Sequence, residues 1–238
     1  MSNKELYDLK RQEKEREFKV LQKNRTARRI LLWGVILIII GGSIWALVKF
    51  GGGSSDNSNL LLVDSVSSTD WVTGNKESKV ILIEYGDFQC PACAAYYPMV
   101  KQIIGEYENQ TQFVYRHFPL PQHQNAKPAA YAVEAAGKQG KFWEMYAKLF
   151  ENQNDWATKR NANDIFKEYA QAVGVNTDQF VKDLELEEIK DKVSSQYQSG
   201  VRIGINSTPT FFLNGKQIQP RNYDEFKQLI QQTISQNP

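Results

Sequence analysis

The 238-residue chain has two cysteines, and they stand three positions apart in Cys90-Pro91-Ala92-Cys93. Thiols at this spacing can close a small disulfide ring. The flanking residues place Cys90 at the start of a helix. Val80 to Tyr85 (VILIEY) is a β-branched apolar run, GDFQ breaks it, and Pro91 falls in the first helical turn, where a missing N–H costs nothing. A sulfur at a helix N-terminus meets unpaired backbone N–H groups and the positive end of the helix dipole, and both favour thiolate over thiol. Cys90 is therefore expected to be the more acidic thiol and the better leaving group in thiol-disulfide exchange. Cys93, inside the first turn, is expected to be more buried, less acidic, and able to resolve or re-form the bridge. Stabilising the reduced pair as a thiolate moves it toward oxidising other proteins.

Three other readings use the same residues. A static disulfide would stabilise little, because the loop it closes is so short. Zinc would need His117 and His123, the only two histidines, to complete a four-ligand set with the cysteines. Yet 23 residues separate Cys93 from His117, where a finger has about 12. No metal is expected on that spacing. A purely recognitional motif without chemistry is separated from the others only by assay.

The elements that must position the pair follow from periodicity. The helix after Cys90 runs through CPACAAYYPMVKQIIGEYE, with a kink expected at Pro98. Gln112 to Phe118 (QFVYRHF) reads as a second strand ended by PLP. From Ala126 to about Gly200 the pattern is helical in four pieces. One is alanine-rich, and one carries Phe142, Trp143, Met145, Tyr146 and Phe150, aromatics expected to form the core of the inserted segment. A third starts at Asp164, and a fourth has Ile189, Val193 and Tyr197 on one face. Thr210 to Leu213 and Lys216 to Gln219 read as a hairpin around Asn214-Gly215. Asn222 with Glu225 reads as the capping box of a last helix. Asp70, Trp71 and Gly74 lead into the first strand. The order strand, helix, strand, helical block, hairpin, helix predicts an α/β fold with a helical insertion.

The N-terminal part is of another kind. Residues 1–29 carry ten Lys/Arg against five Asp/Glu, whereas the remainder carries 19 against 22. The basic charge thus lies outside the part that can fold into a domain, which argues against nucleic acid as a partner. Ile30 to Val48 has nineteen residues and no charge; as a helix it would span about 28 Å, the thickness of a bilayer core. Arg28 and Arg29 precede it, and Trp33 and Trp45 lie toward its ends. The positive-inside rule puts the N-terminus in the cytoplasm and the bulk of the chain outside. A cleaved signal peptide would share that topology. It fits less well, because the basic region is too long and no A-x-A site follows. The expected organisation is a cytoplasmic tail (1–29), a signal-anchor helix in contact with membrane lipid (30–49), a Gly/Ser/Asn spacer (50–65) and one domain (66–238) with its helical insertion at about 124–200. Two cysteines and ordinary Gly and Pro content exclude collagen-like, low-complexity and disulfide-scaffold classes, and 41% hydrophobic residues suffice for a core.

The segments VILIEYGDFQCPAC, YRHFPLP, AAGKQGKFWEMYAKLF and GINSTPTFFLNGK, in this order, resemble the thioredoxin-fold thiol-disulfide oxidoreductases of the DsbA type, in particular the membrane-anchored bacterial forms. The resemblance covers residues 66–238. It implies a thioredoxin fold with an inserted helical domain, and oxidation of protein dithiols outside the cytoplasm. By the same resemblance Cys90 is the attacking and Cys93 the buried cysteine. Thr208-Pro209 matches the loop whose proline is cis and packs opposite the CxxC, with Thr208, Pro91 and Ala92 against the substrate peptide. Glu84 matches an acidic residue beneath the site that exchanges protons with Cys93; a strand-end glutamate reaching water is the alternative. Ala92 departs from the strongly oxidising Cys-Pro-His-Cys pattern and supplies no imidazole. The implied partners are exported proteins with free cysteines and a quinone-linked membrane reoxidase of the DsbB or vitamin K epoxide reductase type. No cofactor is expected beyond the cysteine pair. His117 and His123 are read as structural. With no evident dimerisation domain, a monomer is expected. A reductase or isomerase working at the same site, and a tethered binding module with a structural disulfide, remain the alternatives.

Overall fold

The computed structural model describes residues 63–237. The basic tail, the apolar run and all but the last residues of the spacer lie outside the described residues. Among those described, no helix is long and apolar enough to cross a membrane.

Five strands form one mixed sheet: β1 (Trp71–Gly74), β2 (Ile81–Gly86), β3 (Gln112–His117), β4 (Thr210–Leu213) and β5 (Lys216–Ile218), in the order β1-β3-β2-β4-β5. β2 is central, parallel to β3 and antiparallel to β4. Its parallel step to β3 is made by α1 (Pro91–Glu106), a crossover of the kind parallel neighbours require. α1 is continuous across Pro98, so the proline is accommodated within the helix.

Strand alternation sorts the residues onto two faces. Leu82, Phe113, Phe211 and Leu213 join Val100 and Ile103 of α1 and, near the C-terminus, Phe226 and Ile230 of α8 (Tyr223–Gln236) in the larger core. Ile83, Tyr85, Val114 and Phe212 face the other way, in a smaller core with Phe118 and Ile205. Each fully buried Leu, Ile or Phe contributes about 1.5–3 kcal/mol. The register Glu84↔Tyr115 and Gly86↔His117 puts three polar side chains, Glu84, Tyr115 and His117, on the face that carries α1.

Between β3 and β4 run six helices: α2 (Ala126–Gly137), α3 (Phe142–Glu151), α4 (Gln153–Trp156), α5 (Asn163–Ala172), α6 (Thr177–Asp183) and α7 (Glu187–Arg202). The aromatic residues of α3 do more than fill the inserted segment. They pack onto the sheet and the active-site loop, with the Tyr146 and Tyr115 rings 5.0 Å apart and the Phe150 and Phe88 rings 4.8 Å apart. The end of α2 lies against Trp71 of β1, and Gly137 is required there: a Cβ would lie 2.4 Å from the Trp71 ring. At the far edge, Asn214 (φ 47°) and Gly215 (φ 80°) make the turn of the β4–β5 hairpin, and Asn214 Oδ1 accepts the Ile81 N–H at 2.7 Å, fixing the hairpin to β2.

Candidate active site

The loop from Gly86 to Cys90 is built around the buried carboxylate of Asp87. Its Oδ1 accepts the Gln89 N–H at 2.7 Å, and its Oδ2 accepts the Leu120 N–H at 2.9 Å and lies 2.7 Å from His123 Nδ1. Its carbonyl accepts the Cys90 N–H at 3.1 Å. Burial raises the Asp87 pKa against the opposing pull of these bonds. Cys90 follows as the N-cap of α1, in extended conformation with Pro91 next to it. No side chain caps this helix and no acid occupies its first turn, so its free N–H groups are available to the Cys90 sulfur.

The two thiols sit in different environments. Cys90 is 7% exposed and Cys93 fully buried. The Cys90 thiol is lowered from 9.0 to about 5. The Cys93 thiol is the main cause, as hydrogen-bond donor to Cys90. Burial opposes the shift, and the Thr208 side chain and the backbone N–H groups of Cys93 and Ala92 assist it. Cys93 is pushed well above its ordinary value by burial, by its bond to Cys90, and by the charges of Glu84 and Cys90.

Glu84, 2% exposed, lies beneath the pair. Burial raises its pKa from 4.5 to about 8; a hydrogen bond from Tyr146 works against the rise and the Cys90 charge adds to it. Tyr146 Oη donates to Glu84 Oε2 at 3.4 Å. A Cβ on Gly86 would lie 2.8 Å from Tyr115 Oη and 3.0 Å from Glu84 Oε1, so glycine is what lets these groups close over the strand. Tyr115 Oη itself has no hydrogen-bond partner among the described residues.

The Thr208–Pro209 peptide is cis, and the Cys90 thiol donates to the Thr208 carbonyl across 3.4 Å. Thr208 is buried and Pro209 half-buried, while Pro91 and Ala92 are exposed beside the sulfur. All seven residues singled out from the sequence thus belong to one neighbourhood. His117 and His123 do not join the cysteines as a ligand set. His117 Nε2 lies 2.8 Å from Glu134 Oε1, which also accepts from Trp71 Nε1, and His123 faces Asp87. Among the described residues, no group of three or more His, Cys, Asp and Glu side chains is placed to hold a metal ion.

Sequence reasoning missed Asp87, Tyr146 and Gln153, which donates to the Phe88 and Cys90 carbonyls. Asp87 had a local signal, an acid in the break between strand and CxxC. The other two reach the site from segments more than fifty residues away and left none.

A parallel β–α–β unit, an antiparallel hairpin, a CxxC opening the crossover helix and a cis proline facing it define the thioredoxin class of folds. The chain belongs to the thioredoxin family, which its residues 66–232 match. Among curated proteins it is 32% identical over 191 residues to the Na(+)/H(+) antiporter NhaA 1 of Mycolicibacterium vanbaalenii, covering 78% of this chain and 30% of the relative. It is 34% identical over 180 residues to the NhaA 1 of Mycobacterium sp. strain KMS, covering 72% and 28%. The chain therefore spans about 30% of the length of these relatives. Solved structures share the fold. BdbD from Bacillus subtilis in its oxidised form has a TM-score of 0.62 at 24% identity, covering 69% of this chain and 92% of that one. The corresponding values for alpha-DsbA1 from Wolbachia pipientis are 0.66, 19%, 72% and 94%. For a thioredoxin-like oxidoreductase from Silicibacter pomeroyi DSS-3 they are 0.61, 24%, 76% and 99%.

Proposed function

We propose that the chain is a thiol-disulfide oxidoreductase that introduces disulfides into exported proteins, held at the outer face of the cytoplasmic membrane by residues 30–49. The observation that carries the reading is the contrast between the two sulfurs. Cys90 sits at an uncapped helix N-terminus beside exposed Pro91 and Ala92, and Cys93 is sealed behind it near Glu84.

In the oxidised enzyme a substrate thiolate attacks Cys90 Sγ. The Cys90–Cys93 bond breaks, a substrate–Cys90 disulfide forms, and Cys93 leaves as a thiolate. Because the Cys93 thiol holds its proton far more tightly than Glu84 does, the glutamic acid gives its proton to that sulfur. The substrate's second thiolate then attacks the substrate sulfur of the mixed disulfide and expels Cys90. Two electrons have passed from the substrate dithiol to the cysteine pair. Cys90 leaves readily because it is stable as a thiolate. Reoxidation requires a two-electron acceptor, for which we propose a quinone-linked membrane partner of the DsbB or vitamin K epoxide reductase type. The cycle needs no cofactor on this chain, and the chain acts as a monomer.

Supporting the tether are the charge-free run Ile30 to Val48 and the arginines before it. Running the site in reverse, as a reductase or isomerase, is the competing reading, favoured by the absence of an imidazole at Ala92.

The test uses the full chain and a reduced, unfolded two-cysteine protein. Cys90→Ser should abolish disulfide transfer. Cys93→Ser, loaded at Cys90 with a small-molecule disulfide, should pass through a mixed disulfide with the substrate and lose catalytic turnover. Turnover surviving in both variants would refute the reading.

A further inference from the structure

Two glutamine side chains fasten the loop before the CxxC to the inserted helices. Gln89 Nε2 donates to the Ala157 carbonyl at 2.6 Å, and its Oε1 accepts the Asn125 N–H at 2.6 Å. Gln153, the first residue of α4 and 7% exposed, works from the other side of the boundary. Its Nε2 donates to the Phe88 carbonyl at 2.7 Å and to the Cys90 carbonyl at 3.0 Å, so both amide hydrogens are spent on the loop. We infer that Gln153 is a positioning residue for Cys90: by holding the carbonyls on either side of Gln89 it fixes the entry to α1, so that the first-turn N–H groups converge on the Cys90 sulfur.

Cys90 is an N-cap with ψ 121°, and its carbonyl also accepts the Ala94 N–H at 3.2 Å, the first bond of the helix. Turning the peptide between Cys90 and Pro91 changes that ψ and swings the sulfur relative to the N–H groups of Ala92 and Cys93, which favour its thiolate. Without Gln153 the Phe88 carbonyl loses its donor, which costs about 1–3 kcal/mol and turns it toward another one, while the Cys90 carbonyl keeps the Ala94 bond and loses its second donor. Removing the Gln153 amide therefore acts on the sulfur through the backbone. The donor hydrogens also bring a partial positive charge close to Cys90, and losing them disfavours the thiolate in the same direction. Gln89 provides the comparison. It crosses the same boundary with two bonds but touches neither of these carbonyls.

The inference rests on Cys90 as the attacking thiol, but its test needs no protein substrate, so it stands or falls separately from the direction of electron transfer. The rate at which iodoacetamide alkylates Cys90 in the reduced full chain, followed by mass across pH, gives the midpoint of thiolate formation. Gln153→Met should raise that midpoint by about one pH unit, a tenfold loss of thiolate below it. Gln153→Glu, which sets a carboxylate against the same two carbonyls, should raise it further. Gln89→Met should leave it in place. Gln153→Glu keeps the shape of the side chain and decides the matter if Gln153→Met does not fold. Midpoints unchanged in the Gln153 variants, or moved equally by Gln89→Met, would overturn the inference.

Discussion

Thr208 offers Cys90 two oxygens of opposite character. Its carbonyl lies 3.4 Å from the sulfur and accepts from the thiol, while its buried Oγ1 has no hydrogen-bond partner among the described residues and is free to donate to the thiolate, which it favours. The two residues are 118 positions apart. The bond to the carbonyl requires the protonated thiol, and the hydroxyl is the oxygen that can donate to the thiolate.

Thr208→Val keeps the side-chain shape and removes the hydroxyl. It should raise the Cys90 thiol pKa by about half a unit to one unit, measured from thiolate absorbance near 240 nm, because a donor to the charged form is lost. An unchanged titration would remove the hydroxyl from the account.

The lowered Cys90 pKa has a consequence for stability whose sign is fixed. The folded, reduced chain keeps its thiolate down to about pH 5, whereas an unfolded thiol is protonated below about 9. The stabilisation is complete above the unfolded value and is lost as pH falls through the folded one. Urea unfolding of the reduced chain, compared with Cys90→Ser, should show an advantage that shrinks from pH 9 toward pH 5. An advantage that grows on acidification would contradict the assignment.

Glu84 behaves in the opposite sense. Its folded pKa is raised from 4.5 to about 8, so the protonated form is favoured by folding, and stability falls as pH rises between those values. Glu84→Gln should therefore be more stable than the native chain by about 2–4 kcal/mol at pH 8, with the gain vanishing near pH 4. The same variant should slow attack by Cys93 on a mixed disulfide about 100-fold, as loss of an acid–base group does. Native kinetics in the variant would leave Glu84 a structural residue only.

Gly200 of α7 lies against the sheet where a Cβ would fall 2.7 Å from the Phe118 ring and 3.2 Å from Tyr85. Phe118 cannot yield easily, since its ring packs 4.7 Å from that of Tyr197 and edge-on to Tyr85. Gly200→Ala should cost about 1–3 kcal/mol, read as a lower melting temperature, with the Cys90 titration unaltered. Native-like melting would show that α7 can shift outward.

Much of this architecture is legible in the residues themselves. VILIEY is buried on both faces because β2 is central in the sheet and a core packs on each side of it, and the strand extends to Gly86 because pairing with β3 continues to His117. Asn214-Gly215 announces its hairpin by the positive φ it requires. The capping box is half formed. Asn222 Oδ1 accepts the Glu225 N–H at 2.9 Å, but the Glu225 carboxylate turns to the Arg221 N–H and guanidinium instead of the cap N–H. The periodicity predicts four helical pieces where six helices stand, since α4 and α6, of 4 and 7 residues, are too short to show a period. At the site, spacing discloses Cys90 and Cys93. Tyr146 and Gln153 could not be found that way, because only the packing of α3 and α4 brings them to Glu84 and to the active-site loop.

The most direct test of the central claim is the equilibrium of the Cys90/Cys93 pair with glutathione in the full chain, read by mass after alkylation of free thiols. An oxidant or isomerase holds a potential of about −120 to −180 mV, and the proposed direction of electron flow predicts a value in that range. A value near about −270 mV would mark a reductant and contradict the proposed direction of electron flow.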